Sequence, residues 1–149
     1  GPIALSGSIS EGSSVLSALA LGADFAYVGT KFIATEEANA SPGYKQMIID
    51  STADDIMYSA TFTGVNGNYL RPSVEAAGLN PEEHTSGSKD DMNFSTSAIA
   101  KKDNSSKAWK DIWGSGQGIG TIKDAPSVQT AVDQMVSEYE EAKSRLDNF

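Results

Sequence analysis

The sequence lacks cysteine altogether and contains a single histidine. Without cysteine there is neither a disulfide framework nor a thiolate metal site. No stretch reaches the roughly 20 consecutive apolar residues that cross a bilayer, and no basic or apolar leader precedes the first apolar run. These absences predict a cytoplasmic protein that binds no metal and spans no membrane.

Basic residues are also scarce, since 11 lysines and arginines stand against 20 aspartates and glutamates and give a formal net charge of −9. Nucleic acids and anionic membranes are bound through clustered Lys and Arg. The composition therefore predicts neither as a partner. A phosphate group would have to be bound locally, by backbone N–H groups with Lys31 as the nearby cation.

What the sequence does have, at its beginning, is the pattern of a strand, a turn, a helix and a second strand. Residues 2–5 form a short apolar run that leads to Gly7, and residues 25–28 form a second that ends at Gly29. The helix between them has an apolar face of three residues: Val15, Leu16 and Leu19. The second strand is apolar throughout, which is typical of a parallel strand covered on both faces. We therefore predict one βαβ unit over residues 1–32.

Right-handed crossover places both glycine turns at the carboxyl edge of the predicted sheet. Two adjacent turns, one of which opens onto a helix N-terminus, form a concave surface of backbone N–H groups that suits a phosphate. In (β/α)8 barrels the loops after strands 7 and 8 commonly form such a site. The alternative is that the glycines only turn the chain, as glycine commonly does in such units.

Four stretches of the chain together resemble a known family. The first combines Gly7-Ser8-Ile9 with Tyr27-Val28-Gly29-Thr30 and the KFIATEE that follows. The other three come later, in this order: Phe62-Thr63-Gly64, Asn68-Tyr69-Leu70-Arg71-Pro72, and WKDIWGSGQG at residues 109–118. Together they are similar to the C-terminal part of the nitronate monooxygenase family, formerly called 2-nitropropane dioxygenases. The resemblance extends over essentially the whole chain. One such motif would be a weak signal, whereas four in order are typical of the family.

The resemblance implies an α/β fold, the C-terminal portion of a (β/α)8 TIM barrel with strands 7 and 8, the closing helix and an inserted, mostly helical small domain. The expected boundaries are 1–37 for the barrel βαβ unit with the FMN-phosphate loops, 38–123 for the inserted domain and 124–149 for the closing helix. A complete barrel needs roughly 250 residues, whereas this chain has 149 and begins inside a strand. We expect a fragment whose partner is the missing N-terminal half of the barrel, and which self-associates through unpaired strands when alone.

The resemblance also implies FMN as the cofactor. Its phosphate would be bound by residues of the two turns: Gly7, Ser8, Tyr27, Val28, Gly29 and Thr30. Ser8 stands where the family usually has a second glycine, so a positive φ there would strain the chain by roughly 1 kcal/mol. The loop with Gln117 and Gly118 would return to the barrel mouth, near the flavin or the substrate. The alternative for that loop is a flexible connector.

The catalytic base of the family is a histidine that belongs to a motif of the N-terminal part. That role does not transfer to His84, which follows Pro81 in a polar stretch and is interpreted as a solvated loop residue. We therefore expect no catalytic residue in this chain and no activity from it alone.

The implied function is that of an FMN-dependent oxidoreductase, a nitronate monooxygenase that oxidises alkyl nitronates with O2. NAD(P)H:quinone reduction and FMN-dependent enoyl-thioester reduction share the same phosphate end and remain open. The small-molecule substrate is accordingly a nitronate, a quinone or NAD(P)H. A hypothesis of another class is a non-catalytic domain that binds a phosphorylated ligand or a partner.

Beyond the first unit the pattern is mainly helical. We predict a helix capped by Ser41, a strand over residues 56–63 and a turn at 65–68. Residues 80–106 carry few large apolar side chains, which predicts loop or surface helix and places the most mobile internal segment at 85–106.

Two further helices are predicted towards the end of the chain. Trp109, Ile112 and Trp113 fall at i, i+3 and i+4 of the first, where Trp113 is interpreted as core of the small domain. Asp124 is expected to cap the last helix. Its apolar face steps by three and four through six residues: Val128, Val132, Met135, Tyr139, Ala142 and Leu146.

Overall fold

The computed structural model describes residues 1–63, 65–84 and 111–148. Its strands are β1 (Ala4–Ser6), β2 (Phe25–Tyr27), β3 (Ile56–Ser59) and β4 (Gly67–Leu70). Its α-helices are α1 (Gly12–Ala20), α2 (Thr30–Ile33), α3 (Pro42–Asp50), α4 (Arg71–Ala76) and α5 (Val128–Leu146). Short 3-10 turns occur at Ala53–Asp55, Pro81–His84 and Gln117–Thr121.

The chain divides into two compact units. The first joins Gly1–Ala53 to Gly116–Phe149, and the second is Asp54–Ser115. Within the first unit, α3 and the turn at Gln117–Thr121 contact each other. Ile48 of α3 and Ile119 of that turn are both fully buried.

The predicted βαβ unit is confirmed. β1 pairs with β2 in parallel, with Ala4 opposite Phe25 and Ser6 opposite Tyr27, and α1 lies between them along the chain. The carboxylate of Asp24 accepts a hydrogen bond from the backbone N–H of Ile3 at 2.7 Å and so ties the two strands together where they begin. Both strands therefore end at the same edge of the sheet.

The strands are more exposed than their apolar composition predicts. Ile3 and Phe25 are each 60% exposed and Tyr27 is 66% exposed. We expected cover on both faces of the second strand, and the described part of the chain does not provide it. The physical reason is that two strands and their crossover helix are too few elements to enclose a parallel sheet.

Helix α5 packs against α1, and the predicted valines are not among its buried residues. Its buried residues are Ala131, Met135 and Ala142, whereas Val128 and Val132 are 37% and 40% exposed. The predicted face was therefore wrong for the valines and for Leu146, which is also exposed, and correct for Met135 and Ala142. Small residues are favoured there because the two helix backbones approach closely.

The N-terminus of α5 differs from the predicted one. Its cap is Ser127, whose hydroxyl accepts a hydrogen bond from the backbone N–H of Thr130 at 3.1 Å. Asp124, the predicted cap, lies outside the helix, and the backbone carbonyl of Pro126 accepts a bond from Glu36 at 3.0 Å. The carboxylate of Glu37 accepts from the N–H of Val128 through both oxygens, at 3.1 and 2.9 Å.

The described part of the second unit is built on an antiparallel hairpin. β3 pairs with β4, with Ile56 opposite Leu70 and Ser59 opposite Gly67. Gly67 and Asn68 therefore lie in a strand, where a turn was predicted. Met57, Phe62, Val74 and Ile112 form a buried cluster in the described part of this unit, with Tyr69 and Leu79 packed against it, and Leu70 is also fully buried.

Asp111 is helical, and the chain then pairs with β4 at Trp113 and Gly114. The backbone carbonyl of Trp113 accepts a hydrogen bond from Leu70 at 2.8 Å, and Gly114 forms an antiparallel bridge with Tyr69. Trp113 is half-buried. Trp109 and the predicted mobile segment 85–106 lie outside the described residues.

Within the described ranges, no helix has the length and apolar character required to span a bilayer.

Gly12 is expected to be required for the contact between α1 and α5. A Cβ on Gly12 would lie 2.0 Å from the backbone oxygen of Met135 and 2.3 Å from the backbone nitrogen of Tyr139, and neither atom is free to move within a helix. We expect Gly12→Ala to lower the free energy of unfolding by at least about 2 kcal/mol in urea titrations, although alanine favours helix.

The matched control is Gly120→Ala, since a Cβ there meets nothing within 4 Å. It should change the free energy of unfolding by less than about 0.5 kcal/mol. Equal stability of the two variants would contradict the described packing of α5.

Candidate functional site

The turn that follows β1 contains two consecutive residues with positive φ. Gly7 has φ +102°, and Ser8 has φ +54°. Glycine adopts such angles freely, whereas the Cβ of serine makes the left-handed region cost about 1–2 kcal/mol. The strain anticipated at Ser8 is therefore present. Strain of this kind is retained where neighbouring structure holds it in place.

The first turn of α1 is already satisfied by acceptors of the protein. The backbone N–H of Gly12 donates to the carboxylate of Glu138 at 2.7 Å, and the N–H groups of Ser14 and Val15 donate to the carbonyl of Glu11. A carboxylate at this helix N-terminus also repels an anion. An anion at this edge would therefore be bound by the turns themselves and not by the first N–H of α1.

The turn that follows β2 lies beside the first, because Ser6 pairs with Tyr27. Gly29 is the N-cap of the short α2, and a Cβ built on either Gly29 or Gly7 meets nothing within 4 Å. Open space thus adjoins both turns. Lys31 follows within α2 and supplies a cation on the same loop.

A segment distant in sequence contacts both turns. The N–H of Gly116 donates to the hydroxyl oxygen of Thr30 at 2.8 Å. Two residues later, a Cβ on Gly118 would lie 3.0 Å from the carbonyl carbon and oxygen of Ser8 and 2.7 Å from the hydroxyl oxygen of Ser10. Gln117, between the two glycines, is exposed.

Three hydroxyl and carbonyl groups link this segment to the first turn. The hydroxyl of Ser10 donates to the carbonyl of Gly118 at 2.9 Å. The hydroxyl of Thr121 lies 2.9 Å from the Ser10 oxygen and 3.1 Å from the same carbonyl, so its proton can serve either acceptor. Ser10 is buried, with 4% of its surface exposed.

Most of the predicted site residues lie in the two neighbouring turns or in the segment that contacts them. The paired strands bring the turn with Gly7 and Ser8 beside the turn with Gly29 and Thr30, and Gly118 contacts the first of them. Tyr27 and Gln117 are exposed and Val28 is half-buried.

Sequence reasoning missed Ser10, Thr121 and Glu138. The pairs they form are separated by more than 100 residues along the chain. A polar residue next to a glycine turn is too common to single out such a pair.

This arrangement has the groups that an anion-binding site needs. Its groups are backbone N–H groups of two turns beside open space, and the Thr30 hydroxyl, which accepts from Gly116 and still has a proton to donate. Among the residues that the structure describes, no group of three His, Cys, Asp or Glu is placed to hold a metal ion. The residues fit the phosphate end of a cofactor such as FMN, because side chains at Gly7 and Gly29 would fill the space that it needs.

Comparisons with known proteins identify a family for this chain. The family model described as nitronate monooxygenase matches residues 2–138. The nitronate monooxygenase of Paraburkholderia phytofirmans is 31% identical over 80 residues, which cover 54% of this chain and 22% of that protein. A probable nitronate monooxygenase of Staphylococcus aureus is 28% identical over 86 residues, covering 54% of this chain and 24% of that protein.

Two solved structures show the same fold over nearly the whole chain. FabK from Thermotoga maritima matches with a TM-score of 0.69 at 23% identity, covering 99% of this chain and 47% of that one. Nitroalkane oxidase from Streptomyces ansochromogenes matches with a TM-score of 0.69 at 24% identity, covering 97% and 41%. The chain therefore spans less than half the length of these proteins.

Replacement of Ser8 is expected to report its strain. Ser8→Gly should raise the free energy of unfolding by up to about 1 kcal/mol, because relief of the left-handed strain exceeds the added entropy of the unfolded chain. Ser8→Val should lower it by about 1 kcal/mol or more, because a β-branched side chain tolerates positive φ least. Urea titration measures both.

The same chemical change at Ser13, inside α1, is the matched control. Ser13→Gly should lower the free energy of unfolding by about 0.5 kcal/mol, the opposite sign, because glycine disfavours helix. A loss of stability in Ser8→Gly as large as that in Ser13→Gly would argue against the left-handed turn.

Proposed function

Because this chain belongs to the nitronate monooxygenase family, we propose that it supplies the cofactor-phosphate site of an FMN-dependent oxidoreductase. The observation that carries the proposal is the pair of turns at the ends of two parallel strands, with Gly7 and Gly29 facing open space. Crevices at the carboxyl ends of parallel strands are where phosphate-bearing cofactors bind in barrel enzymes.

The phosphate is bound by backbone amides near Gly7, Ser8, Gly29 and Thr30. The hydroxyl of Thr30 adds a donor, and Lys31 offsets the overall charge of −9 at the point where a dianion binds. Tyr27 and Val28 lead the chain into the second turn. When bound, the flavin supplies hydride or electron transfer, and the protein supplies binding and orientation.

The substrate is proposed to be an alkyl nitronate oxidised with O2. The family and the relatives that carry the name nitronate monooxygenase support this choice. Gln117 and Gly118 lie on the segment that contacts the turn with Ser8, which supports the proposal that they lie near the flavin or the substrate. The base for the reaction is proposed to belong to the N-terminal part of the enzyme and not to this chain.

The partner of this chain is proposed to be the remaining strands and helices of a (β/α)8 barrel. Two observations support it: apolar side chains of β1 and β2 are exposed, and the chain matches less than half of each solved structure. The sheet of a TIM barrel is enclosed by eight helices outside and by packed side chains inside. Strands 7 and 8 of such a barrel would gain both from their missing neighbours.

A negative charge at position 29 is expected to abolish flavin binding in the full-length protein. Gly29→Asp places a carboxylate where the phosphate dianion would bind, so FMN should be lost and the protein should show no absorbance near 450 nm. Gly29→Ala is the control for volume and should retain more flavin, because the φ of −112° at this position suits any residue.

Gln117→Ala is expected to keep the flavin and to change the turnover of nitronate. Flavin content measures binding, and O2 consumption with an alkyl nitronate measures turnover. Equal flavin loss in Gly29→Asp and Gln117→Ala would refute the assigned roles. A full-length protein that never takes up FMN would favour the non-catalytic domain instead.

The chain in isolation is expected to self-associate through β1 and β2. Ile3→Lys with Phe25→Lys should shift it towards a monomer in light scattering, because charges on these strands oppose edge pairing and apolar contact. Val65→Lys is the matched control, since Val65 is 54% exposed but belongs to the second unit. A monomeric wild-type chain that oxidises nitronates would contradict the half-barrel.

A further inference from the structure

We propose that residues 116–121 form a brace that fixes the phosphate-binding turns, with Gly118, Ser10 and Thr121 as positioning residues for the cofactor phosphate. This inference rests on the proposed function, and it adds Ser10 and Thr121, which act on the phosphate turns through Gly118 and do not themselves touch the cofactor. The term brace denotes the segment 116–121 throughout.

The brace contacts the strained part of the first turn. Gly118 lies so close to Ser8 that a Cβ on it would be 3.0 Å from the Ser8 carbonyl carbon and oxygen. The backbone of Gly118 thus covers the peptide that follows Ser8, whose φ is +54°. A serine leaves the left-handed region readily when nothing opposes it, so a neighbour in contact with its peptide keeps the turn in shape.

The hydroxyl groups of Ser10 and Thr121 hold the brace against the first turn by hydrogen bonds. Ser10 donates to the carbonyl of Gly118, and Thr121 shares its proton between Ser10 and that carbonyl. On the other side, Ser10 is joined to α1, because its N–H donates to the hydroxyl of Ser14 at 3.3 Å. The turn is therefore held between the start of α1 and the brace.

The brace also reaches the second turn. The N–H of Gly116 donates to the Thr30 hydroxyl, and Ile119, within the same 3-10 turn, is fully buried and anchors the segment. A single short segment therefore contacts both turns and fixes their separation. Amides that are held in place before the phosphate arrives bind it without a further ordering cost.

The test compares two variants of Thr121 in the full-length protein. Thr121→Val removes the hydroxyl and keeps the shape, and Thr121→Ser restores the hydroxyl. The affinities for FMN and for riboflavin are measured in parallel, because only FMN has the phosphate. We expect Thr121→Val to weaken FMN by about tenfold relative to riboflavin, the size expected for one lost hydrogen bond, and Thr121→Ser to stay within about twofold of wild type.

The same substitution made in Ser8→Gly protein distinguishes a positioning role of Thr121 from a general effect on stability. In Ser8→Gly protein, Thr121→Val should weaken FMN far less, because glycine adopts positive φ without support. Equal weakening in both backgrounds, or equal weakening of FMN and riboflavin, would overturn the proposal.

Hydrogen exchange tests the brace without any flavin. In flavin-free protein, amides of residues 5–12 should exchange faster in Thr121→Val than in wild type or Thr121→Ser, and unchanged exchange would refute the brace. If wild-type protein bound FMN no more tightly than riboflavin, the proposed phosphate site would fail, and the exchange measurement would still decide whether the brace orders the turn.

Discussion

The parallel pairing of β1 with β2 is the constraint on which the rest of the first unit depends. Parallel strands need a crossover, so α1 must connect them, and both turns must end at one edge. The crossover helix in turn needs a partner, which α5 provides where Gly12 meets the backbones of Met135 and Tyr139. The pairing of two short strands thus determines where the distant end of the chain packs.

Two of the acidic residues accept hydrogen bonds at the N-termini of helices. Glu138 accepts from the first amide of α1, and Glu37 accepts from the first amide of α5 through both oxygens. Carboxylates at these positions complement the helix dipoles. They also leave the two turns, rather than these helix N-termini, as the region for an anion. The position of the proposed phosphate site therefore depends both on the glycine turns and on the carboxylates that already occupy these helix N-termini.

Features that depend on neighbours in sequence were predictable, and those that depend on distant contacts were not. The βαβ unit follows from two apolar runs separated by turns, and the start of α3 from Ser41, which accepts a hydrogen bond from the N–H of Tyr44. The buried face of α5 was predicted in part: Met135 and Ala142 are buried as expected, whereas Val128 and Val132 are exposed and the unpredicted Ala131 is buried. In the same way, glycine turns indicated a phosphate site, but no local pattern pairs Ser10 with Thr121.

The exposed apolar surface follows from the same geometry. Helix α5 carries apolar residues on two sides, of which the alanine side is buried on α1 and the side with Val128, Val132 and Val136 is exposed. The strands are likewise apolar and exposed. A helix in the outer ring of a barrel contacts both the sheet and its neighbouring helices, which requires two apolar sides. The remaining strands and helices of the proposed barrel would cover both exposed surfaces at once.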